Sequence, residues 1–186
     1  MTDGTRRALL TLAGAAIVGV SVVVVVRVVS KARFVDALPT AGKPYADQLW
    51  RAARAHKIRP VLLAAVIAHE SGFGELLTPR GPGGTGDGGH GRGLGQIDDR
   101  TWGAWLEAND WRDPAVNLDK SAEILAAALA TFPGNAAAGI ARYNASEPAI
   151  RRALANGTDP AAVTTHDREG RSYVDNVVAQ LDRLQA

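Results

Sequence analysis

The sequence predicts a mainly α-helical body preceded by a transmembrane helix. Three observations carry that prediction. Most of the chain after residue 45 falls into segments whose apolar residues recur at helical spacing, punctuated by Pro, Ser, Asp and Gly. Only one short run, residues 94–98, reads as extended, so strands are a minor feature. Finally, the 19 residues from 8 to 26 carry no charge, and as a helix they would span about 28 Å, close to the hydrocarbon thickness of a bilayer.

Taken in order, residues 1–34 form the expected membrane anchor. The five consecutive valines at 22–26 suit lipid better than a globular core. A cleaved secretory leader is the alternative, although its apolar core is usually shorter and Ser30-Lys31-Ala32 is a poor cleavage site. Arg6, Arg7, Arg27, Lys31 and Arg33 face only Asp3 in this region, so the chain's formal charge of +2 comes from the membrane flanks. The remainder is slightly acidic, which gives no electrostatic ground for nucleic-acid binding. Basic residues flank the span on both sides, so the positive-inside rule selects no orientation. The absence of cysteine excludes a disulfide scaffold and thiolate metal sites.

Residues 35–44, with Pro39, Gly42 and Pro44, read as a linker, and residues 45–186 as the body. Helices are expected over 45–57, 60–70, 101–108, 118–132, 136–143, 148–155 and 172–184. The second begins with Pro60, suited to a first helical turn, and is apolar on every face, as a buried helix must be. In the last, Tyr173, Val174, Val177, Val178 and Leu181 share a stripe that reads as a face packed on the core.

Glu70 closes the buried helix and opens a glycine-rich segment, Glu70-Ser71-Gly72-Phe73-Gly74. Burial disfavours a charged carboxylate and raises its pKa, which is what protonating a leaving-group oxygen near neutral pH requires. Other readings of this region fail on spacing. His69-Glu70 is followed at position 73 by Phe, where a zinc-protease helix needs a second His. Gly84, Gly86 and Gly89 match a dinucleotide fingerprint without its preceding strand or following helix. Asp87 comes one residue early for a calcium-binding glycine repeat, and the unit does not recur. The four histidines are scattered, and no metal site is expected.

Four stretches in a fixed order carry a resemblance. They are Glu70-Ser71-Gly72; Gly86-Asp87 leading through alternating glycines to Gly93-Leu94-Gly95-Gln96-Ile97-Asp98; Tyr143-Asn144-Ala145; and the closing segment, residues 164–179. Together they resemble the superfamily of goose-type lysozymes and soluble lytic transglycosylases, the goose-type branch most closely. Gly95 departs from the Met common in this motif, and Asn144-Ala145-Ser146 lacks a frequent glycine.

The resemblance implies a lysozyme-like helical domain with a short β-like active-site loop, acting on peptidoglycan glycan strands without a cofactor. It implies Glu70 as the general acid, with Gln96, Tyr143 and Asn144 holding the sugars. Asp87 and Asp98 match the goose-type pair that activates water, so inverting hydrolysis by a muramidase is the expected reaction. Such an enzyme keeps its two carboxyl groups about 6.5–9.5 Å apart to leave room for water. A lytic transglycosylase using Glu70 alone is the alternative, as is a silent glycan-binding protein of an envelope or virion. Turn and cap roles remain open for individual residues: Asp87 as a turn former, Asp98 or Asp99 as a helix cap, Tyr143 and Asn144 as packing and a helix end. Trp102, Trp105 and Trp111 read as core. The substrate places the body outside the cytoplasm, on a single-pass membrane anchor or, alternatively, secreted or in a virion.

Overall fold

A computed structural model describes residues 30–185. The expected membrane segment, residues 8–26, lies outside them. No helix among the described residues is long and apolar enough to cross a membrane.

The described chain runs α1 (Lys31–Ala37), α2 (Ala46–Ala55), α3 (Pro60–Ser71), β1 (Thr85–Gly86), β2 (Gly91–Arg92), β3 (Ile97–Asp98), α4 (Asp99–Ala108), α5 (Pro114–Thr131), α6 (Ala136–Asn144), α7 (Glu147–Ala155) and α8 (Tyr173–Arg183). Short 3₁₀ turns occupy Lys43–Tyr45, Asp87–Gly89 and Pro160–Val163. The mainly helical prediction holds.

At the centre is α3, apolar all round because it is enclosed all round. Val61 through Ile67 are buried without interruption, packed by α8, α2 and α5. Each such Val, Leu or Ile contributes about 1.5–3 kcal/mol relative to exposure. Pro60 supplies the first turn, where a missing N–H costs nothing, and Gly72 ends the helix in the left-handed conformation at φ 56°. Glu70 is thereby fixed in the last turn of the most buried helix.

Two helices start earlier than the apolar periodicity indicates, because side chains cap them. Asp98 accepts from Arg100 N at the head of α4, and Asp113 accepts from Ala115 N at the head of α5 with Pro114 in the first turn. Helix α8 carries a reciprocal capping box between Ser172 and Asp175, which sets Tyr173 at its first position.

The linker expectation over residues 35–44 is corrected in its first half. Residues 31–37 form α1, capped by the Ser30 hydroxyl, and Phe34 and Leu38 enter the main core. The Phe34 and Trp50 rings meet at 5.6 Å between centroids. A helix of seven residues, with Phe34 inside it and Leu38 at its cap, is too short to show by periodicity against Pro39, Gly42 and Pro44.

The extended run expected at 94–98 is shorter than predicted: only Ile97–Asp98 is a strand, the last of an antiparallel sheet of order β1-β2-β3. Gly86 pairs with Gly91, and Gly91 in turn with Asp98. Gln96 takes a positive φ of 49°, turning the chain between β2 and β3.

Candidate active site

Glu70 is half-buried at the end of α3. The Tyr173 hydroxyl donates to its Oε1 at 2.6 Å. Burial raises the Glu70 pKa to about 7, and the hydrogen bond from Tyr173 opposes that rise only in part. The negative end of the α3 dipole acts in the same direction as burial. Tyr173 itself is pushed well above the usual phenol range by burial, reinforced by the Glu70 charge, and Tyr143 is raised by the same two causes. Both phenols therefore keep their protons as donors. His69 packs edge-on against Tyr173, with centroids 4.8 Å apart, and burial lowers its pKa, so it stays neutral near pH 7. Tyr173, read from sequence as a packing residue, thus does both jobs: its ring is core and its hydroxyl holds Glu70.

The glycines of the loop make room for polar side chains. The Gln96 amide lies against Gly86 and Gly91, where any Cβ would collide with its Oε1, and its Nε2 donates to Gly93 O at 2.8 Å. Gln96, expected to hold sugar, is engaged in bracing the loop. From α5, buried Asn117 accepts from Gly95 N at 2.9 Å and donates to the carbonyls of Arg92 and Trp111 at 3.1 Å each. From α6, the Tyr143 hydroxyl donates to Gly95 O at 2.9 Å. Residue 95 is thus held through both backbone groups. Sequence reasoning missed Asn117, whose only signal is its place, with Ser121, as a polar pair four residues apart on the buried face of α5.

Asp87 and Asp98 are brought together, and Arg100 joins them. Its Nη2 donates to Asp87 Oδ2 at 2.7 Å and to Asp98 Oδ2 at 2.8 Å, while Nε reaches Asp98 Oδ1 at 2.9 Å. These contacts hold the Asp98 carboxyl below its ordinary pKa. Asp99 is turned away, accepting from Arg92 at 2.7 Å and pairing with His90 at 2.9 Å. Of the two adjacent aspartates, Asp98 is the one at the cleft, and it is also the α4 cap. Arg100 went unnoticed in the sequence; an Arg two residues beyond a helix-capping Asp is its signal.

A cleft of about 670 Å³ is lined by Gln96, Asp98, Trp102, Tyr143 and Asn144 among others. Asp87 and Glu70 stand outside that lining, although Tyr143, which is part of it, feels the Glu70 charge. Asn144 Oδ1 accepts from Thr165 N at 2.9 Å, tying the closing segment to the cleft rim. Trp111 is core as expected, whereas Trp102 and Trp105 are half-buried with the Lys120 ammonium 3.9 Å and 5.5 Å from their ring centres. A second depression of about 590 Å³ between α2 and α5 holds none of the expected site residues. No cluster of three or more potential metal ligands occurs among the described residues.

Comparison with known proteins agrees with this arrangement. The family model described as Transglycosylase SLT domain matches residues 48–163, spanning Glu70, the glycine loop and Tyr143-Asn144. No curated protein matches the chain. The match covers more than half the sequence and coincides with the helices that build the cleft, so the chain belongs to the transglycosylase SLT domain family, of the lysozyme-like superfamily, which acts on the glycan of peptidoglycan.

Proposed function

We propose that this protein is a lytic transglycosylase, cleaving the β-1,4 bond between N-acetylmuramic acid and N-acetylglucosamine with Glu70 as acid and then base. The observation that carries this reading is the contrast among three carboxylates. Glu70 titrates at about 7 and can hold a proton, whereas Asp98 is depressed and, with Asp87, occupied by Arg100. A carboxylate bound to a guanidinium is a weak base.

In this mechanism Glu70 gives its proton to the glycosidic oxygen as the C1–O4 bond breaks. The Tyr173 hydroxyl then stabilises the Glu70 carboxylate. The 6-hydroxyl of the same muramic acid closes on C1, and its proton returns to Glu70. No water is consumed, and Glu70 ends as it began. Digestion of purified peptidoglycan followed by mass spectrometry tests the outcome: 1,6-anhydro products are expected, lighter by one water than hydrolysis products.

One observation favours hydrolysis as a second reading. Asp87 and Asp98 converge closely enough to share one nitrogen, so a pair able to hold water is present in outline. Inverting muramidase action with Asp98 and Asp87 predicts reducing ends in the same experiment. The uncharged run at residues 8–26 supports a membrane anchor, which fractionation of the full chain with membranes would test, and a peptidoglycan substrate supports placing the body outside the cytoplasm.

A further inference from the structure

We infer that Arg100 determines the outcome of cleavage, by filling with its own Nη2 the place that a water held between Asp87 and Asp98 would take. The inference rests on the reading of Glu70 as the acid and adds the residue that decides which nucleophile reaches C1.

The geometry is that of a substituted water. A single atom, Nη2, lies 2.7 Å from Asp87 Oδ2 and 2.8 Å from Asp98 Oδ2, distances that suit a hydrogen-bonded water equally well. Unlike water, a guanidinium nitrogen donates only and cannot act as a nucleophile or lose its proton. Asp98 is further committed by Nε at 2.9 Å and by the Arg100 backbone N–H at 2.8 Å, both on Oδ1. The arrangement is fixed by local sequence: Asp98 caps α4, and Arg100 lies two residues on, where its side chain folds back over the cap. Asp87 is presented from the opposite side by the 3₁₀ turn, with a positive φ of 48°. Asp99 cannot replace either partner, because Arg92 and His90 hold it.

Arg100 is more than half exposed, as is Asp87. The clamp is therefore accessible to replacement without opening the core. With Arg100 in place, both aspartates are engaged by its donors, which leaves the nucleophile's proton to the Glu70 carboxylate and the role of nucleophile to the substrate's 6-hydroxyl. Without it, a water can lodge between the aspartates. Its oxygen then bonds to C1 as C1–O4 breaks, its proton passes to Asp98, and the Glu70 proton leaves on the departing 4-hydroxyl. Solvent afterwards restores both carboxyls, and the product carries a reducing end.

The test is product analysis of the purified protein and of R100Q and R100K, each alone and combined with D87N/D98N. The quantity read is the ratio of reducing-end to 1,6-anhydro products, which is independent of rate. Wild type is expected to give mainly anhydro product. R100Q should raise the reducing-end share at least tenfold, R100K less because an ammonium cannot fork, and R100Q/D87N/D98N should return it to the wild-type level. An unchanged ratio in R100Q, or a raised ratio that persists without the aspartates, overturns the role of Arg100. Mainly reducing ends from wild type would overturn the transglycosylase reading first and the inference with it, whereas anhydro product from wild type with an unresponsive R100Q overturns the inference alone.

Discussion

The Tyr173 hydroxyl donates a 2.6 Å hydrogen bond to Glu70 Oε1 across a separation of 103 positions in the chain. The bond favours the ionised carboxylate and so pulls the Glu70 pKa down against the larger effect of burial. Tyr173→Phe should therefore move the alkaline limb of the kcat/KM profile to higher pH. Loss of a hydrogen bond to a charged group should also slow turnover, by roughly ten- to a hundredfold at about 1.5–3 kcal/mol. A limb that stays in place, or moves to lower pH, would show that Tyr173 serves packing alone.

Glu70 itself should reveal its environment in two measurements. Glu70→Gln keeps the shape but cannot donate the proton, so turnover should fall by at least about a hundredfold. Stability should change with the opposite sign. The folded pKa of about 7 lies above the ordinary 4.5, so the folded protein binds more protons than the unfolded chain between those values. Wild type consequently loses stability as pH rises through that window, and the loss is complete above about 7. The glutamine variant has no such loss. Its advantage over wild type should be absent below pH 4 and grow to on the order of 3 kcal/mol at most by pH 8. Denaturant unfolding at the two pH values checks this, and an advantage independent of pH would place the shift elsewhere.

What the sequence could reveal depended on whether the signal was local. The buried helix ending at Glu70, the capped α8 and the order of the motifs are properties of contiguous residues, and they were legible. The Tyr173 hydroxyl was not, because an aromatic on an apolar stripe looks the same whether its oxygen is idle or bound to a residue 103 positions away. Arg100 was hidden for a related reason: the charge of an Arg is visible, but the side on which it folds is set by the helix start that Asp98 creates. The role of Gln96 was obscured by the glycines, whose abundance suggests flexibility when read alone. In the fold they are the spaces that Gln96, Asn117 and Ser121 fill.

Helix α1 gives a prediction about where the folded body begins. Phe34 is fully buried and meets Trp50, so Phe34→Ala should cost about 3–5 kcal/mol of stability. A chain beginning at residue 30 should unfold cooperatively, near the stability of the full-length body. One beginning at residue 45 should be weakened at least as much as Phe34→Ala, since it also loses Leu38. Equal thermal midpoints for the two truncations would return residues 30–44 to the status of a linker.

Gly95 stands where the family motif commonly carries a much larger residue, and α5 shows why this chain cannot. A Cβ at position 95 would run into the Ser121 hydroxyl and lie 2.8 Å from the Ser121 Cβ and 3.1 Å from the Tyr143 hydroxyl. The space is already filled. Ser121 cannot simply turn aside, because its hydroxyl donates to Asn117 O at 2.8 Å, and Asn117 in turn holds Gly95 N. Gly95→Ala should therefore displace the loop from α5 and cost about 1–3 kcal/mol, as overpacking does. Because Tyr143 lines the cleft and anchors to Gly95 O, turnover should fall as well. Ser121→Gly opens the same space, and although it weakens α5 by about 1 kcal/mol, the double variant should be more stable than the sum of the single changes predicts. A double-mutant cycle measures that coupling, and strict additivity would mean that Gly95 and Ser121 do not share the volume assigned to them.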